Sequence, residues 1–363
     1  MSAGPAPREF RVRLLIWFGE NARDLPWRRS HNPYAIWVSE IMLQQTRVAA
    51  VLDHYDRFLR RFPSVQLLAA AAEDEVLALW SGLGYYRRAR QLHRAAQAVV
   101  NEMGGNFPQT AAALRALPGV GDYTSAAIAS IAFAEAAACV DGNVERVLLR
   151  LRGWSEDSGT RAKICAEAAR LLDPAHPGDF NQAMMELGAT ICLPRSPLCL
   201  QCPVCDFCAT RGEHPARARK PMRATDSAYA FLLRTRNRTL EVLLERRPPD
   251  AALMPGMWEL PALGPKSATH DAPILTLRHS ITNTNYFVSI YGFNLKELRR
   301  ASTTTATRRW FPVSELPMLP LTGLTRKVLK RLHAWHGSSE ASPAPVLAVE
   351  NSGSVSGHDF ADC

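Results

Sequence analysis

Five of the eight cysteines in this 363-residue chain lie in one short run, CLPRSPLCLQCPVCDFC, at residues 192–208. Cys192, Cys199, Cys202 and Cys208 are separated by six, two and five residues, so four thiolates can surround one compact soft-metal centre. Zinc sites usually have two ligand pairs separated by a longer insertion, whereas one uninterrupted run favours a [4Fe–4S] cluster. This spacing leaves Cys205 out. A structural zinc site and a group of unligated thiols are the alternatives.

A second candidate for chemistry is the segment LPGVGDYTSAAIASIAF, which begins at Leu117. Gly119 and Gly121 permit a tight turn directly before a helix, which leaves backbone N–H groups pointing outward at the N-terminus of that helix. Such a geometry is typical of a phosphate-binding site. An ordinary turn before a helix is the alternative interpretation.

Two carboxyl groups are candidates for acid–base chemistry. Asp141, in CVDGNVERVLLR, precedes a predicted helix, and an N-cap role is its structural alternative. Glu40 lies in YAIWVSEIMLQQTRVAAVL, where burial would raise the pKa of its carboxyl group and make it a useful general acid. An exposed helix glutamate is the alternative. On a helix, Glu40 shares one face with mostly apolar residues: Ile36, Trp37, Ile41, Gln44 and Val48.

Helical periodicity dominates the elements that must position these residues. We expect residues 1–210 to form a mainly α region. Gly and Pro separate its helical stretches, which are 34–60, 122–137, 143–152, 161–172 and 178–191. The clearest apolar stripe of one helix consists of Leu92, Ala95, Ala96, Val99 and Val100.

The pattern changes after residue 210. Five Lys or Arg residues and two prolines between positions 211 and 223 predict a basic linker over residues 211–225. Residues 226–335 contain the strand-like runs AYAFLLR, TLEVLLERR and NYFVSIYGF and a closing helix, TRKVLKRLHAW, which predict an α+β domain. Residues 336–363 are rich in Ser, Ala, Gly and Pro, have no Lys or Arg, and are predicted to be a disordered tail.

The composition indicates a folded protein with a polyanionic partner. The chain has 43 Lys and Arg against 34 Asp and Glu, a formal charge of +9, which favours nucleic acid above other partners. The sequence has neither an apolar run of bilayer length nor the pattern of a secretory signal at its N-terminus. We therefore expect a cytosolic monomer, in a compartment where clustered cysteines hold metals more often than disulfides.

Several motifs together carry a family resemblance. The cysteine spacing, preceded by the LPGVG hairpin, resembles the endonuclease III-like superfamily of helix–hairpin–helix DNA glycosylases with an iron–sulfur cluster. Within that superfamily, the segments SEIMLQQT, DLPWR, GLGYYRRAR, VDGNVERV and FNQAMMELGA resemble one branch, the MutY family of adenine DNA glycosylases. The resemblance covers roughly residues 8 to 210. It implies removal of undamaged adenine mispaired with 8-oxoguanine or guanine in double-stranded DNA.

The resemblance implies a role for each residue of the reaction. Asp141, eighteen residues after Tyr123, would stabilise positive charge on the sugar, and Asn143 would orient groups around it. Glu40 would donate a proton to N7 of adenine. Superfamily members that also cut the backbone carry a lysine at the position of Tyr123, where an amine forms a Schiff base. Tyrosine cannot form one, which implies base removal without efficient strand cleavage.

The resemblance also implies contacts with the duplex. Flipping adenine out of the stack leaves a gap, and Gln45 and Tyr85 match the residues that wedge into it. Gly119 and Gly121 would hold a backbone phosphate in the hairpin. The loop between Cys192 and Cys199 would direct Arg195 at another phosphate.

The second domain resembles a Nudix-like fold. The segment LLERRPPDAALMPGMWELP at residues 243–261 carries this resemblance, but no REUxEExGU box, in which U is a bulky aliphatic residue, follows it to hold Mg²⁺. Diphosphate hydrolysis is therefore excluded, and recognition of 8-oxoguanine is implied. Ile281, Thr282 and Asn283 replace a Phe-Ser-His loop that many bacterial members use, so Thr282 and Asn283 are the candidate lesion contacts.

Two other functions compete with this interpretation. A bifunctional glycosylase/lyase acting on oxidised pyrimidines would need a lysine in place of Tyr123 and would lack Glu40. A DNA-binding redox protein would use the cluster for electron exchange and would form no abasic product.

Overall fold

The computed structural model describes residues 7–155, 159–213, 221–264, 272–301 and 307–334, with the backbone alone at 299–301. The chain divides into two compact units. The first consists of Met1–Val76 with Arg87–Arg219, and the second of Leu77–Tyr86 with Lys220–Cys363. The predicted tail, 336–363, and positions 214–220 of the predicted linker lie outside the described residues.

The first unit is built of helices joined by short loops. Turns of 3₁₀ helix form at Pro26–Arg28, Cys199–Gln201 and Cys205–Phe207. Helix α5 continues into the second unit. The helices are α1 (Pro7–Asn21), α2 (Pro33–Leu43), α3 (Val48–Arg61), α4 (Val65–Ala70), α5 (Glu73–Trp80), α6 (Arg87–Met103), α7 (Ala111–Leu114), α8 (Asp122–Phe133), α9 (Gly142–Arg152), α10 (Thr160–Leu171) and α11 (Pro177–Thr190).

Local signals in the sequence explain where α2 begins. The Asn32 side chain accepts hydrogen bonds from the backbone N–H groups of Tyr34 and Ala35, and Pro33 occupies the first helical position. The stretch predicted as one helix over 34–60 is two helices, because α2 ends at Leu43 and α3 begins at Val48. The connecting residues turn the chain beside a cavity described below.

The packing of the first unit brings distant parts of the chain together. Helix α1 packs against α10 and α11, and α9 packs against α10 and α11. Their shared apolar core includes Phe10, Leu14, Leu148 and Phe180, and three of the clustered cysteines lie against it. Helix α2 packs against α8, α8 packs against α11, and α11 packs against α9. These four helices therefore lie around one shared space. The predicted stripe on α6 is buried at Leu92, Ala95, Ala96 and Val99, and half-buried at Val100.

The second unit has two sheets. Strands β1, β5, β6 and β7 form a mixed sheet in the order β5-β1-β7-β6, in which β1 and β7 are parallel. In the other sheet β3 pairs antiparallel with β2, β4 and β8. The elements are β1 (Arg223–Phe231), β2 (Leu233–Arg236), β3 (Thr239–Arg246), β4 (Trp258–Glu259), β5 (Ala262–Leu263), β6 (Leu275–Ile281), β7 (Thr284–Gly292), α12 (Leu295–Ala301), β8 (Arg308–Pro312) and α13 (Gly323–Arg331), with a 3₁₀ helix at Val313–Met318.

The expected order of a mainly helical region followed by an α+β region is confirmed. Val288 and Ile290 of β7 are buried and Tyr286 is half-buried, as their alternation predicts. The closing helix of the second unit forms as α13. Strand β1 begins at Arg223, so the last three residues of the predicted linker are part of the sheet. Across the described residues, the helices are too short or too polar to cross a bilayer.

Candidate active site

One large cavity of about 1030 Å³ opens in the first unit. Helices α2, α8, α9 and α11 each contribute to its walls, together with the loops that follow α2 and precede α8. Seven of the residues predicted from the sequence line this one cavity: Glu40, Gln45, Gly119, Gly121, Tyr123, Asp141 and Asn143.

Glu40 is the buried acid of the cavity. Its side chain is on α2 and the residue is 5% exposed. Burial raises the pKa of Glu40 to about 7, and the nearby Asp141 acts in the same direction, while the hydrogen bond from Tyr123 and the charge of Arg28 oppose the shift. A carboxyl group with this pKa holds a proton on a substantial fraction of molecules at neutral pH, so it can act as an acid.

The apolar helical face predicted around Glu40 forms only in part. Val48 lies on α3 and therefore shares no helix with Glu40, and Gln44 is the C-cap residue of α2. Helix α2 is buried on nearly all sides, from Ile36 to Met42. Its burial follows from packing against α3, α6 and α8 rather than from a single apolar stripe.

Tyr123 joins Glu40 directly. Its hydroxyl group donates to Glu40 Oε2 at 2.6 Å and lies 3.2 Å from Met185 Sδ. Burial, followed by the negative charge of Glu40, raises the pKa of Tyr123 well above its usual value, so the hydroxyl stays protonated and remains a donor. The side chain carries no amine, which excludes Schiff-base formation at this position.

Asp141 is both a helix cap and a residue of the cavity wall. It is the N-cap of α9, with Oδ1 accepting from the backbone N–H groups of Asn143 (2.9 Å) and Val144 (2.7 Å). Its Oδ2 accepts from Asn143 Nδ2 at 2.9 Å. The same carboxylate lines the cavity with Glu40. These donors hold the carboxylate in one orientation, so the N-cap fixes the group that faces the cavity.

Sequence reasoning missed Arg146, which holds Asn143 in place. Its Nη2 donates to Asn143 Oδ1 (2.9 Å) and to the Gly188 carbonyl (2.6 Å), and its Nε donates to the Cys192 carbonyl (2.8 Å). A Cβ at Gly188 would lie 2.6 Å from Asn143 Cβ, so glycine allows α11 to approach the first turn of α9. The motif VDGNVERV contains Arg146 and Asn143, but the carbonyl partners Gly188 and Cys192 lie 42 and 46 positions further along the chain.

Sequence reasoning also missed a buried charge cluster in the wall of the cavity. Glu186 has a fully buried side chain and accepts from Arg23 (2.7 Å to each oxygen) and from Arg28 Nη2 (2.8 Å). Burial alone would raise the pKa of Glu186, but the hydrogen bonds from the two arginines lower it to about 2. The cluster fixes Arg28 near Glu40. Arg28 lies in DLPWR, Arg23 directly precedes that motif, and Glu186 lies in FNQAMMELGA, so only the fold brings the three together.

The two hairpin glycines serve different purposes. Gly119 has a φ of +76°, and a Cβ there would lie 2.5 Å from Gln91 Cβ, so this position requires glycine. Gly121 has extended backbone, and a Cβ there would meet open space. No side chain caps α8 at Gly121, which leaves the first N–H groups of α8 available to a ligand. Asp122, at the start of α8, pairs with Arg115 at 2.9 Å.

The three side chains predicted to contact DNA are exposed. Gln45 is exposed beside the cavity and has a φ of 55°. Tyr85, in the second unit, is 46% exposed and has a φ of 49°. Arg195 is exposed in the loop between Cys192 and Cys199. Arg150 shapes that loop by donating to the carbonyl groups of Leu193 (2.6 Å) and Pro194 (3.0 Å).

The clustered cysteines surround a second, small cavity. All five line it, including Cys205, together with Arg150 and Arg211. Arg150 Nη1 lies 3.3 Å from Cys192 Sγ, and the Arg211 backbone N–H points at Cys208 Sγ at 3.5 Å. N–H donors and a buried guanidinium near sulfur fit thiolate ligands, because they offset negative charge.

Thr282 and Asn283 form the tip of the hairpin between β6 and β7. Thr282 has a φ of 50°, which is strained for a β-branched residue, and the Asn283 carbonyl accepts from the Arg223 backbone N–H at 2.8 Å. These two residues belong to the second unit, apart from the residues of the large cavity.

A buried acid, a fixed carboxylate and a helix–hairpin–helix turn around one cavity suit the cleavage of a glycosidic bond beside a phosphate backbone. Residues 38–174 match the HhH-GPD superfamily of base excision DNA repair proteins. A solved thermostable thymine-DNA glycosylase is 32% identical, with a TM-score of 0.53 over 56% of this chain and 96% of that one. A solved endonuclease III–DNA intermediate, at 23% identity and a TM-score of 0.50, shares the fold over 57% of this chain and 97% of that one.

The similarity to curated relatives extends further. The adenine DNA glycosylase of Homo sapiens is 36% identical over 88% of this chain and 73% of the human protein. That of Rattus norvegicus is 35% identical over 94% of this chain and 82% of the rat protein. The chain therefore belongs to the adenine DNA glycosylase family of base excision repair enzymes, which confirms the resemblance predicted from its motifs.

Proposed function

We propose that this adenine DNA glycosylase removes adenine mispaired with 8-oxoguanine or guanine in double-stranded DNA, without efficient cleavage of the strand. The observation that carries the proposal is the buried Glu40 carboxyl group, with a pKa of about 7, in the same cavity as Asp141. A buried carboxyl group that keeps its proton on a substantial fraction of molecules at neutral pH, and a second carboxyl group fixed in the same cavity, are the two groups that departure of a base requires.

In the proposed reaction Glu40 donates its proton to N7 of the flipped adenine. The C1′–N9 bond then breaks, and its electron pair moves to the base. Asp141 stabilises the positive charge that develops on the sugar, with its carboxylate oriented by Asn143. A water molecule adds to C1′ and loses a proton to the Glu40 carboxylate, which restores the acid and leaves an abasic site.

Tyr123 positions the acid, and its lack of an amine keeps the reaction from cutting the strand. Its hydroxyl group holds one oxygen of Glu40 and leaves the other carboxyl oxygen for the base. With no amine at this position, the abasic sugar is not captured as a Schiff base, and the strand stays intact. The proposal therefore predicts that breaks appear only after alkali.

DNA binding is proposed for five residues outside the acid–base pair. Gln45 and Tyr85 fill the gap that flipping leaves in the base stack. Gly119 and Gly121 hold a phosphate at the N-terminus of α8, and Arg195 contacts another phosphate. The absence of a side-chain cap at Gly121 supports the hairpin assignment.

We propose that Cys192, Cys199, Cys202 and Cys208 hold a [4Fe–4S] cluster. The cysteines line one cavity together with the Arg150 guanidinium. Their uninterrupted spacing of six, two and five residues favours a multi-atom cluster over zinc. When bound, the cluster would supply a structural cross-link for the loop that carries Arg195.

For the second unit we propose a Nudix-like fold that reads the base opposite adenine through Thr282 and Asn283. Its mixed sheet and its position after the helical region support this assignment, and the hairpin tip exposes Asn283. An amide and a hydroxyl group offer both donors and acceptors to an oxidised purine.

The test uses duplexes of defined mispairs with cluster-loaded protein, followed by alkali. We expect breaks at adenine opposite 8-oxoguanine or guanine, and none with A:T, 8-oxoguanine:C or thymine-glycol duplexes. Glu40→Gln should abolish excision and leave duplex binding within about threefold of the unmodified protein, because the residue acts as an acid. Breaks without alkali, cleavage of the thymine-glycol duplex, or equal loss of binding and excision in Glu40→Gln would overturn the assignment.

A further inference from the structure

Arg88, on α6, reaches across to the end of the helix that carries Glu40. Its Nη1 donates to the carbonyl oxygens of Ile41 (2.8 Å) and Met42 (3.0 Å), and also to that of Gln44. Its Nη2 donates to Thr46 Oγ1 at 3.1 Å. The last carbonyl groups of a helix have no partner within the helix, and a cation is favoured there by the helix dipole. The Arg88 guanidinium thus caps the C-terminal end of α2 and holds the following loop by hydrogen bonds.

The gripped loop has a strained centre. Gln45 has a φ of 55°, in the left-handed region, where a residue with a side chain is disfavoured by about 1–2 kcal/mol. Arg88 contacts the residue on each side of it, through the Gln44 carbonyl and the Thr46 hydroxyl. The Gln44 side chain adds a third fixed point by donating to Thr124 Oγ1 on α8 at 3.1 Å. The strained backbone is therefore held from α6 and α8, and the exposed Gln45 side chain projects from it beside the cavity.

We propose that Arg88 is a positioning residue, which sets the conformation of Gln45 before DNA binds so that its side chain enters the base stack without prior rearrangement. The inference rests on the wedge role proposed for Gln45. A wedge that is already in place lowers the barrier to flipping, because the ordering cost is met during folding. Lysine is not equivalent to Arg88, because one ammonium group could reach the carbonyls that Nη1 contacts but has no second nitrogen to reach Thr46 Oγ1, which Nη2 contacts.

A simple helix cap would use the same hydrogen bonds but have other consequences. A cap contributes to the free energy of unfolding, and its loss would slow excision by the same factor whether or not the Gln45 side chain is present. A positioning residue acts through Gln45, so its loss should have no further effect once that side chain is removed. A double-mutant cycle separates the two roles.

The experiment measures single-turnover excision of adenine from an A:8-oxoguanine duplex by cluster-loaded, full-length protein. The variants are Arg88→Gln, Arg88→Lys, Gln45→Ala and the Arg88→Gln/Gln45→Ala double variant, with thermal unfolding recorded for each. Arg90→Gln is the matched control, because it removes the same charge from the same helix but breaks a pair with Glu73. We expect each Arg88 variant and Gln45→Ala to slow excision about tenfold. The double variant should match Gln45→Ala within about twofold, and Arg90→Gln should match the unmodified protein.

The outcomes distinguish this inference from the function beneath it. If Gln45→Ala excises adenine at the unmodified rate, the proposed wedge role is wrong and the inference falls with it. If Gln45→Ala is slow but Arg88→Gln is not, or if the two losses multiply in the double variant, the positioning role alone is overturned. Should Arg88→Gln fail to fold, the same cycle with Arg88→Lys decides between multiplication and no further effect.

Discussion

Burial brings the carboxyl group of Glu40 close to half protonation at neutral pH. At the residue scale, two neighbours set how far that shift goes. Asp141 raises the pKa of Glu40 further, and the Tyr123 hydroxyl lowers it by a 2.6 Å hydrogen bond to the ionised form. The Tyr123 hydroxyl therefore adjusts the pKa of Glu40 in addition to fixing the position of its carboxyl group. The hydrogen bond predicts this role, whereas the residue type alone does not.

This tuning predicts a pH dependence. Glu40 donates a proton only in its neutral form, so single-turnover excision should fall about tenfold per pH unit above a pKa of about 7. Tyr123→Phe removes a hydrogen bond that favours the carboxylate, which raises the pKa of Glu40 and moves the alkaline fall in rate to higher pH. Rates measured across pH 5.5 to about 9 on both proteins check the direction. An unmoved alkaline limb in Tyr123→Phe would contradict the tuning role.

Local motifs and the family resemblance were sufficient to single out Glu40, Asp141 and Tyr123, which the structure places around one cavity. They did not single out Glu186, because its partners Arg23 and Arg28 lie 163 and 158 positions away in the chain. A charged residue inside an apolar helix, as Glu186 is in FNQAMMELGA, signals a buried partner. That signal does not say which arginine provides it.

At the scale of elements, the two glycines in the turn between α7 and α8 should have different roles. Gly119 should be required for the fold and Gly121 for the proposed phosphate site. Gly119→Ala places a side chain at a φ of +76° and 2.5 Å from Gln91 Cβ, so it should destabilise the fold by about 2 kcal/mol. Gly121→Ala meets open space on extended backbone, so its melting temperature should be unchanged, while a methyl group at the phosphate site should weaken duplex binding about tenfold.

Thermal unfolding and duplex titration of the two glycine variants, side by side, check this division. Full duplex affinity in a folded Gly121→Ala protein would count against phosphate binding at the hairpin. A lower melting temperature in that variant would mean that Gly121 also stabilises the fold.

The elements themselves were largely predictable, and their interruptions were not. Periodicity located α6 and α8 to α11, but it gave α1, α4, α5 and α7 no stretch of their own. It also missed the break after Leu43, because SEIMLQQT has neither glycine nor proline. The left-handed backbone at Gln45, Tyr85 and Thr282 was equally hidden, since none of these residue types favours it. At Gln45, the contacts of Arg88 with Gln44 and Thr46 hold this conformation against local preference.

At the scale of the whole molecule, the formal charge of +9 predicts binding that weakens steeply with salt. Arg195→Gln removes one proposed phosphate contact, so the slope of log Kd against log salt concentration should fall by about 1. Arg60→Gln is the matched control, because Arg60 pairs with Asp56 on the surface of α3. Duplex titrations at several salt concentrations check both, and equal slopes for the two variants would remove Arg195 from the DNA contacts.

The composition change near residue 211 marked the α+β region, but it could not assign Leu77–Tyr86 to the second unit. Two hydrogen bonds to the Leu321 carbonyl connect this segment to the rest of the second unit, from Ser81 Oγ at 2.9 Å and from Tyr86 OH at 3.1 Å. The residues involved lie more than 230 positions apart, beyond the reach of any local pattern. The domain limits predicted from sequence, 1–210, 211–225, 226–335 and 336–363, stay predictions.

The packing of α1 has a consequence for the folding of the chain during its synthesis. Phe10 and Leu14 are buried against α9 to α11, and Phe10 lies 6.0 Å from Phe207 in the cysteine run. On the ribosome, α1 emerges before these partners and meets the last of them, Phe207, only after about 200 further residues have been synthesised, at 5–20 residues per second. Its apolar face is thus exposed for roughly ten seconds or more. During that interval the nascent chain is the form most in need of a chaperone.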